Sequence, residues 1–126
     1  MLTDLHIENV AVIQRADVHF GPGLNVLTGE TGAGKSILID ALEAVLGGRA
    51  SRELVRTGAP SCLVSAVFDA QGTEDWQAET GVEAEDGQLL LLRRITAEGK
   101  SNCRVNGVAV TAAQLRALGA LLLDWR

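Results

Sequence analysis

The sequence predicts an α/β fold, a mixed sheet with antiparallel strands packed around one phosphate-loop βα unit. Three observations predict it. The run Gly29-Glu30-Thr31-Gly32-Ala33-Gly34-Lys35-Ser36 fits the G-x-x-x-x-G-K-[ST] spacing of a phosphate-binding loop. A short apolar segment, residues 24–28, precedes it, and an amphipathic run, residues 37–46, follows. On both sides of that unit, apolar and polar residues alternate between tight turn signals, which points to antiparallel strands rather than to repeated parallel βα units.

Taken in order, residues 2–12 set Leu5, Ile7 and Val10 against Asp4, His6, Glu8 and Asn9. That alternation is a half-buried strand. Residues 12–20 continue as a second strand, and Gly21-Pro22-Gly23 is a turn. Residues 24–28 then enter the loop as a short buried strand. The helix expected from Lys35 buries Ile37, Leu38, Ala41, Leu42, Val45 and Leu46 at i, i+3, i+4 spacing, with Asp40 and Glu43 on its solvated side. Gly47-Gly48 stops it, with a left-handed cap available. Arg49, Arg52 and Arg56 follow as the first basic cluster of the chain.

Residues 61–69 read as a strand. Residues 73–87 carry Glu74, Asp75, Glu79, Glu83, Glu85 and Asp86 with no basic residue, and read as an exposed helix or loop whose acids form a solvated face. An apolar strand over 88–96 contains Arg93-Arg94-Ile95, and its hairpin partner over 101–105 lies across Glu98-Gly99-Lys100. Asn106-Gly107 is a two-residue turn into 108–110. Arg93, Arg94, Lys100 and Arg104 on this hairpin read as a solvated sheet face. Thr111 is the N-cap of a helix through Leu118, and residues 121–125 read as a further buried strand. No internal repeat or low-complexity linker is visible.

The chemistry of the loop follows from its residue types. Polyphosphate needs many donors and little bulk. Gly29, Gly32 and Gly34 let backbone N–H groups turn inward around the anion. The helix start adds unpaired N–H groups and the positive end of its dipole. Lys35 supplies an ammonium for the β- and γ-phosphates, and Ser36 a hydroxyl for Mg²⁺, which takes few protein oxygens. Glu30 and Thr31 sit on the rim, with Ala33 and Ile37 completing the stretch.

Composition narrows the class. The chain has 126 residues and a formal net charge of −5, which argues against a globally basic nucleic-acid binder but leaves room for a local basic face. Cys62 and Cys103 have no paired spacing, which suits free thiols in a reducing cytosol; His6 and His19 make no metal-ligand pattern with them. Residues 1–13 carry charges that break any secretory h-region, and no run approaches the ~18–20 apolar residues of a membrane span. A soluble, intracellular protein with no membrane partner is the expectation.

Residues 24–41, Leu-Asn-Val-Leu-Thr through Gly-Glu-Thr-Gly-Ala-Gly-Lys-Ser to Ile-Leu-Ile-Asp-Ala, closely resemble the N-terminal head segment of the RecN family, bacterial DNA-repair ATPases related to SMC proteins. The opening Leu5-x-Ile7-x-Asn9, Gly48-Arg49-Ala50 leading to Val55-Arg56-x-Gly58, and Leu92-Arg93-Arg94-Ile95 with Val105-Asn106-Gly107 and Val110-Thr111 carry the same resemblance.

The resemblance implies an ABC-type P-loop NTPase head, of which residues 1–126 are the N-terminal, Walker A lobe. It implies ATP with Mg²⁺ as cofactors, bound by Gly29, Glu30, Thr31, Gly32, Ala33, Gly34, Lys35, Ser36 and Ile37, with Ser36 on the metal. The implied partners are the C-terminal half of the same head, a second head in an ATP-dependent homodimer, and DNA, as double-stranded ends to be held or bridged during break repair. The implied location is a bacterial cytoplasm, at the nucleoid. An arginine in the region of Arg49, Arg52 and Arg56 is linked to DNA-stimulated hydrolysis in related SMC heads; surface ion pairing is the competing reading of all three.

The departures set the limits. No glutamine follows residues 121–126, and no ABC signature motif, Asp-Glu-ended Walker B strand, switch histidine or coiled-coil heptad is present. The catalytic residues therefore stay unassigned, and the chain is expected to be an N-terminal piece or first lobe. Two alternatives remain: another SMC-like or RecF-like repair head, and a nucleotide-gated dimerisation module with negligible hydrolysis. A small-molecule kinase fits least, because no lid or acceptor pocket is legible after the loop helix.

Overall fold

Alternation decides the sheet. The computed structural model describes residues 2–19, 32–49 and 51–123. Six antiparallel strands, β1 (Leu2–Val10), β2 (Ile13–His19), β3 (Ser61–Asp69), β4 (Gln88–Thr96), β5 (Ser101–Val105) and β6 (Val108–Val110), form one sheet in the order β2-β1-β3-β4-β5-β6. One face is apolar around a single buried cation, Arg93. Leu5, Ala66, Leu91 and Val105 lie side by side across four strands, and Ile7, Val64, Arg93 and Cys103 form the next row. All eight are buried. The opposite face carries His6, Ser65, Leu92 and Arg104 in register.

Among the described residues three α-helices pack with the sheet: α1 (Gly32–Val45), α2 (Glu74–Thr80) and α3 (Ala112–Leu123). Helix α1 packs on β1, β3 and β4, and α3 packs on β5. Ala41, Ala44, Val45 and Leu46 from the α1 segment join Leu115, Leu118 and Leu122 of α3 in the core. Fully burying each such leucine is worth about 1.5–3 kcal/mol. Helix α2 is tied to α3 by the Trp76 indole N–H, which donates to the Gln114 carbonyl at 2.8 Å.

Several expectations hold. The spans 61–69, 88–96, 101–105 and 108–110 are strands, and the acids of residues 73–87 are exposed around a short helix. That segment is not wholly a surface feature, however, because Trp76 and Val82 are buried. Thr111 caps α3 reciprocally: its Oγ1 accepts from the Gln114 N–H at 3.0 Å, and Gln114 Oε1 accepts from the Thr111 N–H at 2.9 Å. This is a capping box. Ile37, Leu38 and Leu42 are only half-buried, while Asp40 and Glu43 are exposed.

Three expectations are corrected. Residues 121–123 are not a strand but the last turn of α3. A short leucine run has no period of its own, leucine favours helix, and Leu115, Leu118 and Leu122 continue one helical stripe. Arg93 is not on a solvated face: it is 3% exposed. The α1 helix also starts at Gly32, three residues before Lys35. The turn at 21–23, the strand at 24–28 and residues 124–126 lie outside the described residues.

Candidate nucleotide-binding site

The two ends of α1 organise the site. Of the stretch expected to hold phosphate, Gly29, Glu30 and Thr31 lie outside the described residues, and Gly32, Ala33, Gly34, Lys35, Ser36 and Ile37 form the first six residues of α1. The first turn contains no acidic residue. Its leading N–H groups have no partner within the helix. Ser36 is exposed and Ile37 half-buried. Helix amides, a first turn without a carboxylate and an accessible hydroxyl oxygen are a donor set that fits a polyphosphate with Mg²⁺.

The opposite end is closed. Gly47 adopts φ of +93°. Its N–H donates to the Ala44 carbonyl at 3.1 Å, and the Gly48 N–H donates to the Glu43 carbonyl at 2.9 Å. These two bonds make a Schellman motif. Helix α3 lies so close that a Cβ on Gly47 would sit 2.4 Å from the Arg116 Cα, and one on Gly119 would sit 2.3 Å from the Leu46 carbonyl oxygen. Arg116 Nε donates to the Gly47 carbonyl at 3.3 Å. From the sheet, Arg93 Nη1 donates to the Ala44 and Gly48 carbonyls, each at 2.6 Å, while its Nε donates to Ser101 Oγ at 3.0 Å.

The sequence reading found the glycine stop but missed Arg93, Arg116 and Gly119. Arg93 was findable. It sits in the inward register of β4 with Leu89, Leu91 and Ile95, so alternation alone assigns it to the core. Nothing local marks Gly119, whose role depends on a helix over seventy residues earlier in the chain.

The arginine cluster follows α1 directly. Arg49 and Arg52 are exposed and Arg56 is half-buried. Arg52 opens a one-turn 3₁₀ helix, Arg52–Leu54, capped by Ser51, whose Oγ accepts from the Glu53 N–H at 3.1 Å. The segment is bonded to the end of β1 and the turn after it: the Ala11 N–H donates to the Leu54 carbonyl at 2.7 Å, and the Arg56 N–H to the Asn9 carbonyl at 2.8 Å. Ion pairs among the described residues involve His6, His19 and Arg15, so no described carboxylate holds Arg49, Arg52 or Arg56. A pocket of about 730 Å³ lies beside the closed end of α1, lined in part by Asp40, Glu43, Arg49, Glu53 and Arg116. Its three carboxylates make it a poor host for an anion, and it is not at the glycine-rich end. Among the described residues, no helix is long and apolar enough to cross a membrane.

Known proteins resemble this arrangement. A family described as an AAA domain matches residues 4–97. The DNA repair protein RecN of Bacillus subtilis is 46% identical over 127 residues, covering 98% of this chain and 22% of that protein. RecN of Synechocystis is 42% identical over 130 residues, again 98% and 22%. The chain thus spans about a fifth of the length of the curated relatives it matches. Among solved structures, one from work on ATP-driven dimerization and DNA-stimulated activation of SMC ATPases has a TM-score of 0.75 at 22% identity, over 97% of this chain and 79% of that one. The SMC head domain from Thermotoga maritima has 0.69 at 21% identity, over 93% and 41%. The recombination mediator RecF has 0.69 at 19% identity, over 91% and 29%. At those identities the structures speak for the fold alone, that of the N-terminal lobe of such a head.

Proposed function

The chain belongs to the AAA-domain family and matches RecN over nearly its whole length, and from that premise we propose that it is the ATP-binding lobe of an SMC-like ATPase head acting in DNA double-strand-break repair. The observation that carries the reading is the helix start of α1: Gly32 to Ser36 begin the helix, its leading amides are unpaired within it, and its first turn carries no acid. Backbone amides of residues 29–35 and the Lys35 ammonium would hold the phosphates, and Ser36 the Mg²⁺. ATP supplies the phosphoanhydride that such heads cleave. Phosphoryl transfer also needs a group that orients the attacking water. Asp40 and Glu43 sit further along α1 on its solvated side, remote from that work.

None of the described residues is assigned that role. The 126-residue chain alone should bind ATP yet hydrolyse it negligibly; turnover becomes normal only once a C-terminal half and a second head complete each site. The decisive experiment is Lys35→Ala in the complete protein, followed by nucleotide titration. Loss of the phosphate-reaching charge should weaken ATP by about tenfold or more. Unchanged affinity would refute the loop assignment.

Arg49, Arg52 and Arg56 are proposed to meet DNA phosphate. Support comes from their position directly after the nucleotide helix and from the absence of a described carboxylate partner. Replacing all three with Gln in the complete protein should weaken DNA binding and flatten its salt dependence by roughly one logarithmic unit per lost phosphate contact. Identical affinity and identical salt slope would leave them as plain surface charges.

A further inference from the structure

Arg93 raises a question that hydrophobic packing does not answer. It lies in the middle of an apolar row, between Val64 and Cys103 on neighbouring strands, and is 3% exposed. Burying a cation is costly unless it is paired and hydrogen-bonded, and a well-packed apolar side chain in such a place is often as stable or more so. No described carboxylate pairs with it. Its acceptors are the Ala44 and Gly48 carbonyls at the negative end of α1, with Ser101 Oγ of β5 on the other side. Apolar contact is non-directional, whereas two hydrogen bonds of 2.6 Å to one helix end fix that helix along and around its axis.

We propose that Arg93 is a positioning residue for nucleotide binding: by fastening the closed end of α1 to the sheet, it holds the aim of the amides at the other end. The proposal rests on the phosphate-loop reading. Helix α1 has 14 residues, so at ~1.5 Å per residue it is a lever about 21 Å long. A tilt of about 3° at the clamp displaces the far end by about 1 Å, and misplacements of that size can change a site's performance by up to ~100-fold. Arg116 and the Schellman bonds hold the chain reversal after α1; Arg93 alone ties the helix end to β4 and β5 by polar bonds among the described residues.

The test uses the complete protein with Arg93→Met, Arg93→Lys, Leu91→Ala and Lys35→Ala. Leu91 lies on the same face of β4 but offers no polar atom to α1. Thermal unfolding without nucleotide is measured alongside ATP affinity. Arg93→Met should weaken ATP by about tenfold, Arg93→Lys should recover part of the loss, and Leu91→Ala, with a comparable or larger drop in unfolding temperature, should bind ATP like the unaltered protein. If Leu91→Ala weakens ATP as much as Arg93→Met does, or if Arg93→Met binds ATP normally, Arg93 is only part of the core and the proposal is overturned. Should Arg93→Met not fold, Arg93→Lys decides: a single ammonium cannot span both carbonyls and Ser101, so ATP should bind more weakly, and normal affinity would overturn the idea. Lys35→Ala separates the two readings. ATP affinity unchanged in Lys35→Ala indicts the loop; affinity lost there but retained in Arg93→Met indicts only Arg93.

Discussion

The two ends of α1 are built on opposite principles. At the C-terminal end the helix carbonyls are taken up by Gly47, Gly48 and Arg93, while Arg116 anchors the Gly47 carbonyl just beyond and α3 presses against Leu46 and Gly47. At the N-terminal end the sequence supplies glycine, alanine, a lysine and an exposed serine, and no acidic side chain in the first turn. The contrast teaches how a helix serves a ligand. On the proposed reading, the N-terminal end is the one that meets the nucleotide, and the C-terminal end is the one the protein fixes. Changes at the closed end should therefore cost stability, and changes at the free end should cost affinity.

Gly47→Ala is the harshest way to break that division. It forces a side chain onto φ of +93° and brings a Cβ within 2.4 Å of the Arg116 backbone. Left-handed strain and overpacking together should lower unfolding stability by about 3–5 kcal/mol. Gly119→Ala, whose Cβ would meet the Leu46 carbonyl at 2.3 Å, should lower it by about 1–3 kcal/mol. Denaturant unfolding measures both. Near-native stability in either would mean that α1 and α3 are not locked together as described.

A milder probe of the same wall is Thr111→Ala. It removes one half of the reciprocal cap that starts α3 and should lower stability by about 1 kcal/mol. Lys35→Ala should do the reverse of Gly47→Ala. Alanine is the better helix former, so unfolding stability should change by less than about 0.5 kcal/mol while ATP affinity falls by about tenfold or more. A large stability loss in Lys35→Ala would mean that the free end is structural after all.

How much of this was legible before the structure follows the range of the interactions. Local signals carried the strands of 61–69, 88–96, 101–105 and 108–110, the Asn106-Gly107 turn, the Thr111 cap and the Gly47-Gly48 stop, because each is decided by alternation, turn chemistry or capping within a few residues. The core place of Arg93 was legible too, from the alternation Leu89, Leu91, Arg93, Ile95, but charge was allowed to outrank register. The helical state of residues 121–123 was not legible from a leucine run alone; tertiary packing of Leu122 beside Leu115 and Leu118 settles it. Gly119 is marked only by its approach to Leu46. For the site itself, motif spacing singled out the phosphate stretch, whereas the clamp at its far end joins Ala44 and Gly48 to Arg93 across more than forty residues.

The smallest expected effect lies on neither end of α1 but on the outward face of the sheet, where it serves as a control for both. His6 faces two carboxylates: Glu8 at 2.7 Å from its Nε2 and Asp17 at 2.5 Å from its Nδ1. Only the doubly protonated ring can donate to both. The Glu8 hydrogen bond raises the His6 pKa above 6.5, with partial burial opposing and Asp17 adding to the rise. Asp17 is lowered from 3.8 chiefly by its hydrogen bond to His6. Neighbouring His19 pairs with Asp4, and Arg15 lies 3.9 Å from Asp17. A folded-state pKa raised for His6 means its contribution is fully present below 6.5 and is lost as pH climbs through the folded value. The lowered Asp17 value means that its contribution is present above 3.8 and is lost as pH falls through its folded value. The stability difference between the unaltered protein and His6→Gln should therefore be greatest between about pH 4 and 6.5 and shrink as pH rises through the raised His6 value. ATP affinity should be the same in both at every pH, since His6 projects from the face opposite α1. A stability difference that is flat with pH would dissolve the His6 pairing; a pH-dependent difference in ATP affinity would mean that the two faces of the sheet are coupled, and that α1 is not held by its closed end alone.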